Sequence, residues 1–404
     1  MCQYNENKKI NRMDSQNKYR SRINENFELA LGEPRVAQKN KDLLKDLVEI
    51  SKYFGQRFDL TQAAGGNSSV KSNKKMFIKS SGYSLSEVTL KNGYTIVDND
   101  KLVNFLHSAR GNKITDSIEK KSFKILKDST LDGGSPSIET LAHSIMKKFT
   151  IHIHPVAVNM VSVNRKSREI FNKIFSTKRK GESIYYVSYR TPGISLATEI
   201  INVVSVEQDK LKRDNTIIVF LENHGLICSS DNKLELIQSV EKIVKQFENY
   251  LKINLSRYKL TTEISQILWR NSYENLICCY SEDAILTKFI NLKNSKNFIK
   301  PLNPDQLLYC GESPLIVGSS LETSIKSYLK KYKTYPRVLI VKKDVYLVAP
   351  NVLKAKEIED VFKSHLYFNS NGALNRVLPK DEIKKLDSYN PQKNRLRFWF
   401  DYVE

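Results

Sequence analysis

The stretch TIHIHPVAVN, Thr150 to Asn159, places two histidines one residue apart inside a run that is otherwise apolar and β-branched. The whole chain holds only six histidines. Successive side chains of a strand alternate between its faces, so His152 and His154 share one side while Ile151 and Ile153 enter the opposite layer. Two imidazoles a few ångströms apart repel if both are protonated. A divalent cation removes the conflict by taking a lone pair from each, and a hydrogen-bonded histidine pair in a half-polar core removes it equally well. The apolar run on the far side of Pro155 reads as a continuation of the same strand.

A third histidine favours the cation. His224 sits in LENHGL, between two apolar runs that read as strands, where Gly225 lets the backbone bend. Three histidines hold a tetrahedral zinc and leave one position open, the arrangement of a catalytic rather than a structural site. Such a site needs an acid–base group, and Glu139 stands thirteen residues before His152. It lies in SIETLAHSIMKKF, read as a helix capped by Ser137 with Ile138, Leu141 and Ile145 as its buried stripe. GGNSSV at residues 65–70 and SSG at residues 80–82 offer small residues and exposed amides suited to an anion. Each alone is only a turn.

The wider composition sets limits. Lys plus Arg number 65 against 44 Asp plus Glu, a net charge of +21, scattered in short lysine runs. These runs lack interleaved aromatics and no helix-turn-helix, zinc-finger or RNP pattern accompanies them, so a solvated surface rather than a nucleic-acid partner is expected. Apolar residues make up 40% of the 404, enough for a sizeable core. No apolar run reaches the roughly 18 residues of a membrane helix, and the polar start MCQYNENKKI lacks a secretory core. A soluble, cytoplasmic protein without a membrane partner is expected, its five cysteines reduced.

Three parts are expected along the chain: a loose polar arm over residues 1–37, a zinc unit over 38–260, and a C-terminal α/β extension over 261–404. Helical spacing marks residues 39–54 and 231–251. Residues 337–368 echo 216–249 as strand, turn, strand and amphipathic helix. That suggests a degenerate repeat in which Asp344 takes the place of His224, or merely two uses of a common strand-turn-strand-helix pattern. The aromatic end RLRFWFDYVE is expected to pack on a neighbouring unit or subunit.

The pieces AAGGNSSVK, MFIKSSG, PSIETLAH, IHIHPVAV and LENHGLI occur in one order over about residues 40 to 250. As a set they resemble the class II aldolase/adducin family. The nearest variant is the aldolase portion of bacterial rhamnulose-1-phosphate aldolase/alcohol dehydrogenase fusions, which LNPDQLLYCGESPLIV and VLPKDEI in the later part also resemble. No GxGxxG follows, so the dehydrogenase portion of those fusions is not expected here. The resemblance implies an α/β fold, an α/β/α sandwich around a central, mainly antiparallel sheet, assembled as a homotetramer. It implies one zinc per subunit on His152, His154 and His224, with Glu139 as the catalytic glutamate that also touches the metal when substrate is absent. It implies a substrate phosphate held by Gly66, Asn67, Ser81, Gly82 and Ser137, with Lys79 as a further candidate.

The implied activity is aldol cleavage of a ketose 1-phosphate, rhamnulose-1-phosphate-like, to dihydroxyacetone phosphate and an aldehyde. Zinc would spread the charge of the enediolate and no lysine Schiff base would be needed. Sibling epimerases, dehydratases and sugar-acid decarboxylases use the same three histidines. Ile138 stands where fuculose-phosphate enzymes carry a second phosphate-binding serine, which weakens the inference to a phosphorylated substrate. A non-catalytic adducin-like protein is the third reading, and the intact histidine set argues against it. The family's proton-donating tyrosine, usually brought by another subunit, is not assignable among twenty tyrosines. His143, four residues after Glu139, is placed to orient it or simply to pack.

Overall fold

A computed structural model describes residues 34–176, 181–205, 215–290, 300–370 and 376–388. Most of the predicted arm, residues 1–33, and the aromatic end at 395–404 lie outside the described residues. The first helix, Pro34–Gly55, begins a few residues earlier than expected and puts Leu43, Leu44, Leu47, Ile50 and Phe54 into the core at helical spacing.

The first sheet has eight strands: β1 (Asn67–Ser72), β2 (Lys75–Lys79), β3 (Tyr94–Asp98), β4 (Thr130–Gly133), β5 (Phe149–Ile153), β6 (Glu182–Val187), β7 (Thr216–Leu221) and β8 (Gly225–Ser230). Their order is β4-β3-β2-β1-β5-β8-β7-β6, antiparallel throughout except for the parallel pair β6/β7. Helices cover both faces. Phe149, Ile151 and Ile153 point into the layer beneath Pro34–Gly55 and Lys233–Leu251. Met76, Ile78, Val219 and Ile227 point into the layer beneath Asn99–Ala109 and Ile194–Ser205. This is the expected α/β/α sandwich around a mainly antiparallel sheet. Asn232 caps Lys233–Leu251 by accepting from the amides of Leu234 and Glu235.

Two local expectations need correction. The strand carrying the histidine pair ends at Ile153; Pro155 starts a helix, Val156–Ser162. Proline fixes φ near the helical value and supplies no amide, so it sits well at a helix start. Ala157, Val158 and Val161 are buried at helical, not alternating, spacing. The helix after Ser137 is also shorter than expected, Thr140–Ser144. Leu141 is fully buried, but Ile138 is 40% exposed and lies on the turn before the helix.

A second sheet follows, with β9 (Ile277–Tyr280), β10 (Leu315–Ile316), β11 (Val338–Val341) and β12 (Asp344–Ala349) in the order β10-β11-β12-β9. Its pairings reproduce one half of the first sheet. β10/β11 are parallel like β6/β7, β11/β12 form a hairpin like β7/β8, and β12 pairs antiparallel with β9 as β8 does with β5. The helices Leu321–Tyr332 and Val352–Ser370 occupy the connections held by Ile194–Ser205 and Lys233–Leu251 in the first. The second sheet thus shares strand order as well as sequence pattern with that half of the first.

The register moves one residue. Asp344 pairs with Val341 as Gly225 pairs with Leu221, because the second turn holds two residues instead of three. Asp344 therefore stands in the place of Gly225, and His224 has no counterpart. Tyr280, paired with Tyr346, takes the position of His152, which is paired with Ile227.

The two sheets meet along the end of the first helix. Gln56 Oε1 accepts from Ser265 Oγ at 2.5 Å and from the Cys278 amide at 2.9 Å. Thr262 Oγ1 donates to the Tyr53 carbonyl at 3.3 Å, and Lys52 Nζ to the Asn275 carbonyl at 2.8 Å. Cys228, Cys278, Cys279 and Cys310 are free thiols. Among the described residues, no helix is long and apolar enough to cross a membrane.

Candidate metal centre and active site

The centre is assembled from three segments. β1 and β5 are neighbours, and their register sets Asn67 directly beside His152. His154 lies just past the strand, its amide donating to the Leu60 carbonyl. His224 ends the β7–β8 turn, its amide donating to the Leu221 carbonyl. Asn223, with φ of 53°, makes the left-handed step of that turn. Gly225 serves a different need from the bend expected of it. A Cβ there would stand 2.4 Å from the Ile153 carbonyl oxygen and 2.9 Å from the His154 ring. Gly65 is confined by the same ring, at 2.9 Å from His154 Nδ1. Gly66, with φ of 78°, turns the chain onto β1.

The three histidines converge. One ring nitrogen from each of His152, His154 and His224 lies within 4.8 Å of the others. His152 Nε2 and His154 Nε2 are 3.1 Å apart. Glu139 Oε1 lies 3.3 Å from His152 Nε2 and 3.2 Å from His224 Nε2. A tetrahedral zinc with bonds of about 2.0 Å has ligand–ligand edges of about 3.3 Å. Three edges among these four atoms match that spacing, so the donor set fits a small divalent cation. His152 Nδ1 lies 3.1 Å from the Leu226 carbonyl, which can only accept, so Nδ1 carries the proton and Nε2 presents its lone pair.

Electrostatics agree with this division. Burial, then His152 and His224, push the His154 pKa down to about 4, which keeps that ring neutral and able to ligate. Burial opposes charge on His152, yet Glu139 beside it holds its pKa above the usual value. Burial likewise opposes the Glu139 carboxylate, but His152 and His224 hold it well below the ordinary carboxylate range. The glutamate is thus an anion facing one side of the histidine set.

Glu139 is held from behind. Asn67 Nδ2 donates to Glu139 Oε2 at 2.6 Å and to Ser137 Oγ at 3.2 Å, and Ser137 Oγ accepts from the Glu139 amide at 3.3 Å. His143 does not orient the glutamate: its Nδ1 lies 2.8 Å from Ser69 Oγ, and the ring packs fully buried. Ser81 and Gly82 lie on the neighbouring loop, which the Ser81 amide ties to the Ser135 carbonyl at 2.9 Å. Gly82 has φ of 86°, with open space around its missing Cβ. Lys79 Nζ donates to the carbonyls of Tyr83 at 2.7 Å, Ser80 at 3.3 Å and Ala64 at 3.4 Å, fastening this loop to the Gly65–Gly66 loop. Burial lowers its pKa, and Glu139 and Glu87 only partly offset this.

Several supports gave no signal in the sequence. The Leu226 carbonyl that fixes the His152 tautomer is backbone, so no residue type reveals it. Glu222 was passed over, although it stands in the quoted LENHGL. It accepts from Tyr186 Oη at 2.6 Å and from the Tyr189 amide at 3.0 Å, tying the His224 turn to the end of β6.

No curated protein matches the chain. Among solved structures, the N-terminal class II aldolase domain of a conserved protein from Thermoplasma acidophilum is 26% identical over 51% of this chain and 92% of that one, with a TM-score of 0.42. A sugar-phosphate aldolase from Thermotoga maritima is 15% identical over 53% of this chain and 95% of that one, with a TM-score of 0.38. An L-fuculose 1-phosphate aldolase is 18% identical over 52% and 85%, with a TM-score of 0.34. The profile of the Class II Aldolase and Adducin N-terminal domain matches residues 45–251, just over half of the chain. The chain belongs to the class II aldolase and adducin N-terminal domain family and carries its fold.

Proposed function

We propose that the protein is a zinc-dependent aldehyde-lyase that cleaves a ketose 1-phosphate, rhamnulose-1-phosphate-like, to dihydroxyacetone phosphate and an aldehyde. The observation that carries this reading is the convergence of His152, His154, His224 and Glu139 at the spacing of a tetrahedral metal site. Zinc on the three imidazoles would supply a Lewis acid for the charge that aldol cleavage leaves beside a carbonyl.

The chain's own residues do the rest. In cleavage the hydroxyl that becomes the aldehyde gives up its proton and Glu139, held by Asn67, delivers one to the carbon next to that carbonyl; in condensation the glutamate takes that proton back. Its second oxygen stays bonded to the amide, so the reacting oxygen faces the histidines. Gly66, Asn67, Ser81, Gly82 and Ser137 form the wall proposed to hold the phosphate, and Lys79 keeps its two loops together.

The reading places the zinc unit at residues 38–260 and an extension at 261–404, in keeping with the two separate sheets and the matched span. A cytoplasmic homotetramer and the link to the rhamnulose-1-phosphate fusions rest on the sequence resemblance. Incubating the zinc-loaded protein with ketose 1-phosphates, with dihydroxyacetone phosphate followed by a coupled NADH assay, tests it. Absence of product from every ketose 1-phosphate overturns it.

Ile138 favours a second reading, a sibling epimerase or sugar-acid decarboxylase. Its side chain lines a shallow crevice with Phe123, Pro192 and Gly193 and offers no hydroxyl. Under the aldolase reading, Ile138→Ser adds a donor to the phosphate and is expected to lower KM about three- to tenfold with kcat little changed, one hydrogen bond to a charged group being worth about 1.5 kcal/mol. An unchanged KM, together with NMR that shows altered stereochemistry or released carbon dioxide, would select the sibling.

A further inference from the structure

Away from the histidines, a cleft of about 660 Å³ opens between the first helix and the segment leading into β9. One wall is a single face of Pro34–Gly55: Lys45, Val48, Glu49 and Lys52. The other is the end of the helix Ser256–Trp269, with Gln266 and Trp269, and then Arg270, Glu274 and Asn275. The volume is that of a site for a ligand of nucleotide size.

The charge in it leans positive: Lys45, Lys52 and Arg270 stand against Glu49 and Glu274. Lys52 is only 2% exposed, yet among the described residues the single partner of its ammonium is the Asn275 carbonyl at 2.8 Å. Among the described residues, no carboxylate forms an ion pair with Lys45, Lys52 or Arg270. Glu49 is already taken by Lys233, at 2.5 Å. A buried ammonium without a counter-charge is costly, and burial alone drives the Lys52 pKa down to about 8. A bound anion would relieve that cost, and Trp269 with Val48 and Leu90 gives a flat apolar body something to lie on.

We propose that this cleft is a second ligand site, separate from the metal centre, for a phosphate-bearing small molecule with a planar ring. The phosphates face Lys45, Lys52 and Arg270, and the ring lies against Trp269.

The test is calorimetric titration of the full chain with ADP and, separately, inorganic pyrophosphate, carried out in a His152→Ala background to remove any metal-borne binding, with the Arg270→Ala and Lys45→Ala variants separating this cleft from the phosphate wall beside Glu139. One site per chain is expected, with ADP tighter than pyrophosphate. Lys52→Met, which keeps the buried stem, and Arg270→Ala, on an exposed side chain, are each expected to weaken ADP about tenfold, the worth of one charge-assisted hydrogen bond. If Lys52→Met does not fold, Lys45→Ala, also exposed, takes its place. No binding at millimolar ligand, binding that Arg270→Ala and Lys45→Ala leave unchanged, or pyrophosphate binding as tightly as ADP would overturn the proposal.

Discussion

Replacing His152 with alanine is expected to remove zinc and turnover together. This ring is 1% exposed and sits at the middle of the set: 3.1 Å from His154, 3.3 Å from Glu139, and anchored by the Leu226 carbonyl. Its loss leaves two imidazoles on separate segments and breaks one of the two contacts Glu139 makes to ring nitrogens. Lewis-acid stabilisation is worth several kcal/mol, so kcat/KM should fall by about a thousandfold or more. Metal content by mass spectrometry and initial rates should decline together, while circular dichroism reports an intact fold. A variant that has lost its zinc yet turns over normally would sink the metal-dependent mechanism.

Glu139→Gln should behave differently. The amide keeps the shape and the contact with Asn67 Nδ2 but cannot carry a proton between carbon and solvent. General acid–base catalysis is worth about 100- to 10,000-fold, and kcat should fall by that amount with KM nearly unchanged. Zinc should stay bound, since the three histidines are untouched. Exchange of the C3 hydrogen of dihydroxyacetone phosphate into deuterium oxide reads the proton transfer without requiring cleavage. Wild-type exchange rates in the glutamine variant would take the proton away from Glu139 and leave it a structural anchor.

The sequence made the histidine cluster legible because its parts are side chains with strong type preferences. Alternation along Ile151–His154 set both histidines on one face, and the structure has Ile151 and Ile153 in the opposite layer. What stayed hidden is backbone. The Leu226 carbonyl, the Asn223 left-handed step and the close approach of Gly225 to Ile153 leave no mark that composition carries. The two corrected elements have separate causes, the first being that short apolar runs fit strand and helix alike. After Pro155 the buried spacing of Ala157, Val158 and Val161 decided for helix. After Ser137 the turn bearing Glu139 shortened the helix, and Ile138 was left half exposed. The second sheet reads from pattern only as an echo. Its shared strand order needed coordinates, because Tyr280 and the two-residue turn at Lys342 and Lys343 have erased every chemical trace of the original histidines.

Gln56 has a consequence for how the chain is made. Its side-chain oxygen accepts from the Cys278 amide, 222 residues further on. At about 5 to 20 residues per second, a ribosome reaches that partner roughly 10 to 45 seconds after releasing the helix that precedes Gln56. Throughout that interval the amide of Gln56, the ammonium of Lys52 and the carbonyl of Tyr53 are left to water. The portion of the chain synthesised late, which carries none of the proposed zinc ligands, therefore decides when the helix Pro34–Gly55 is finally sealed.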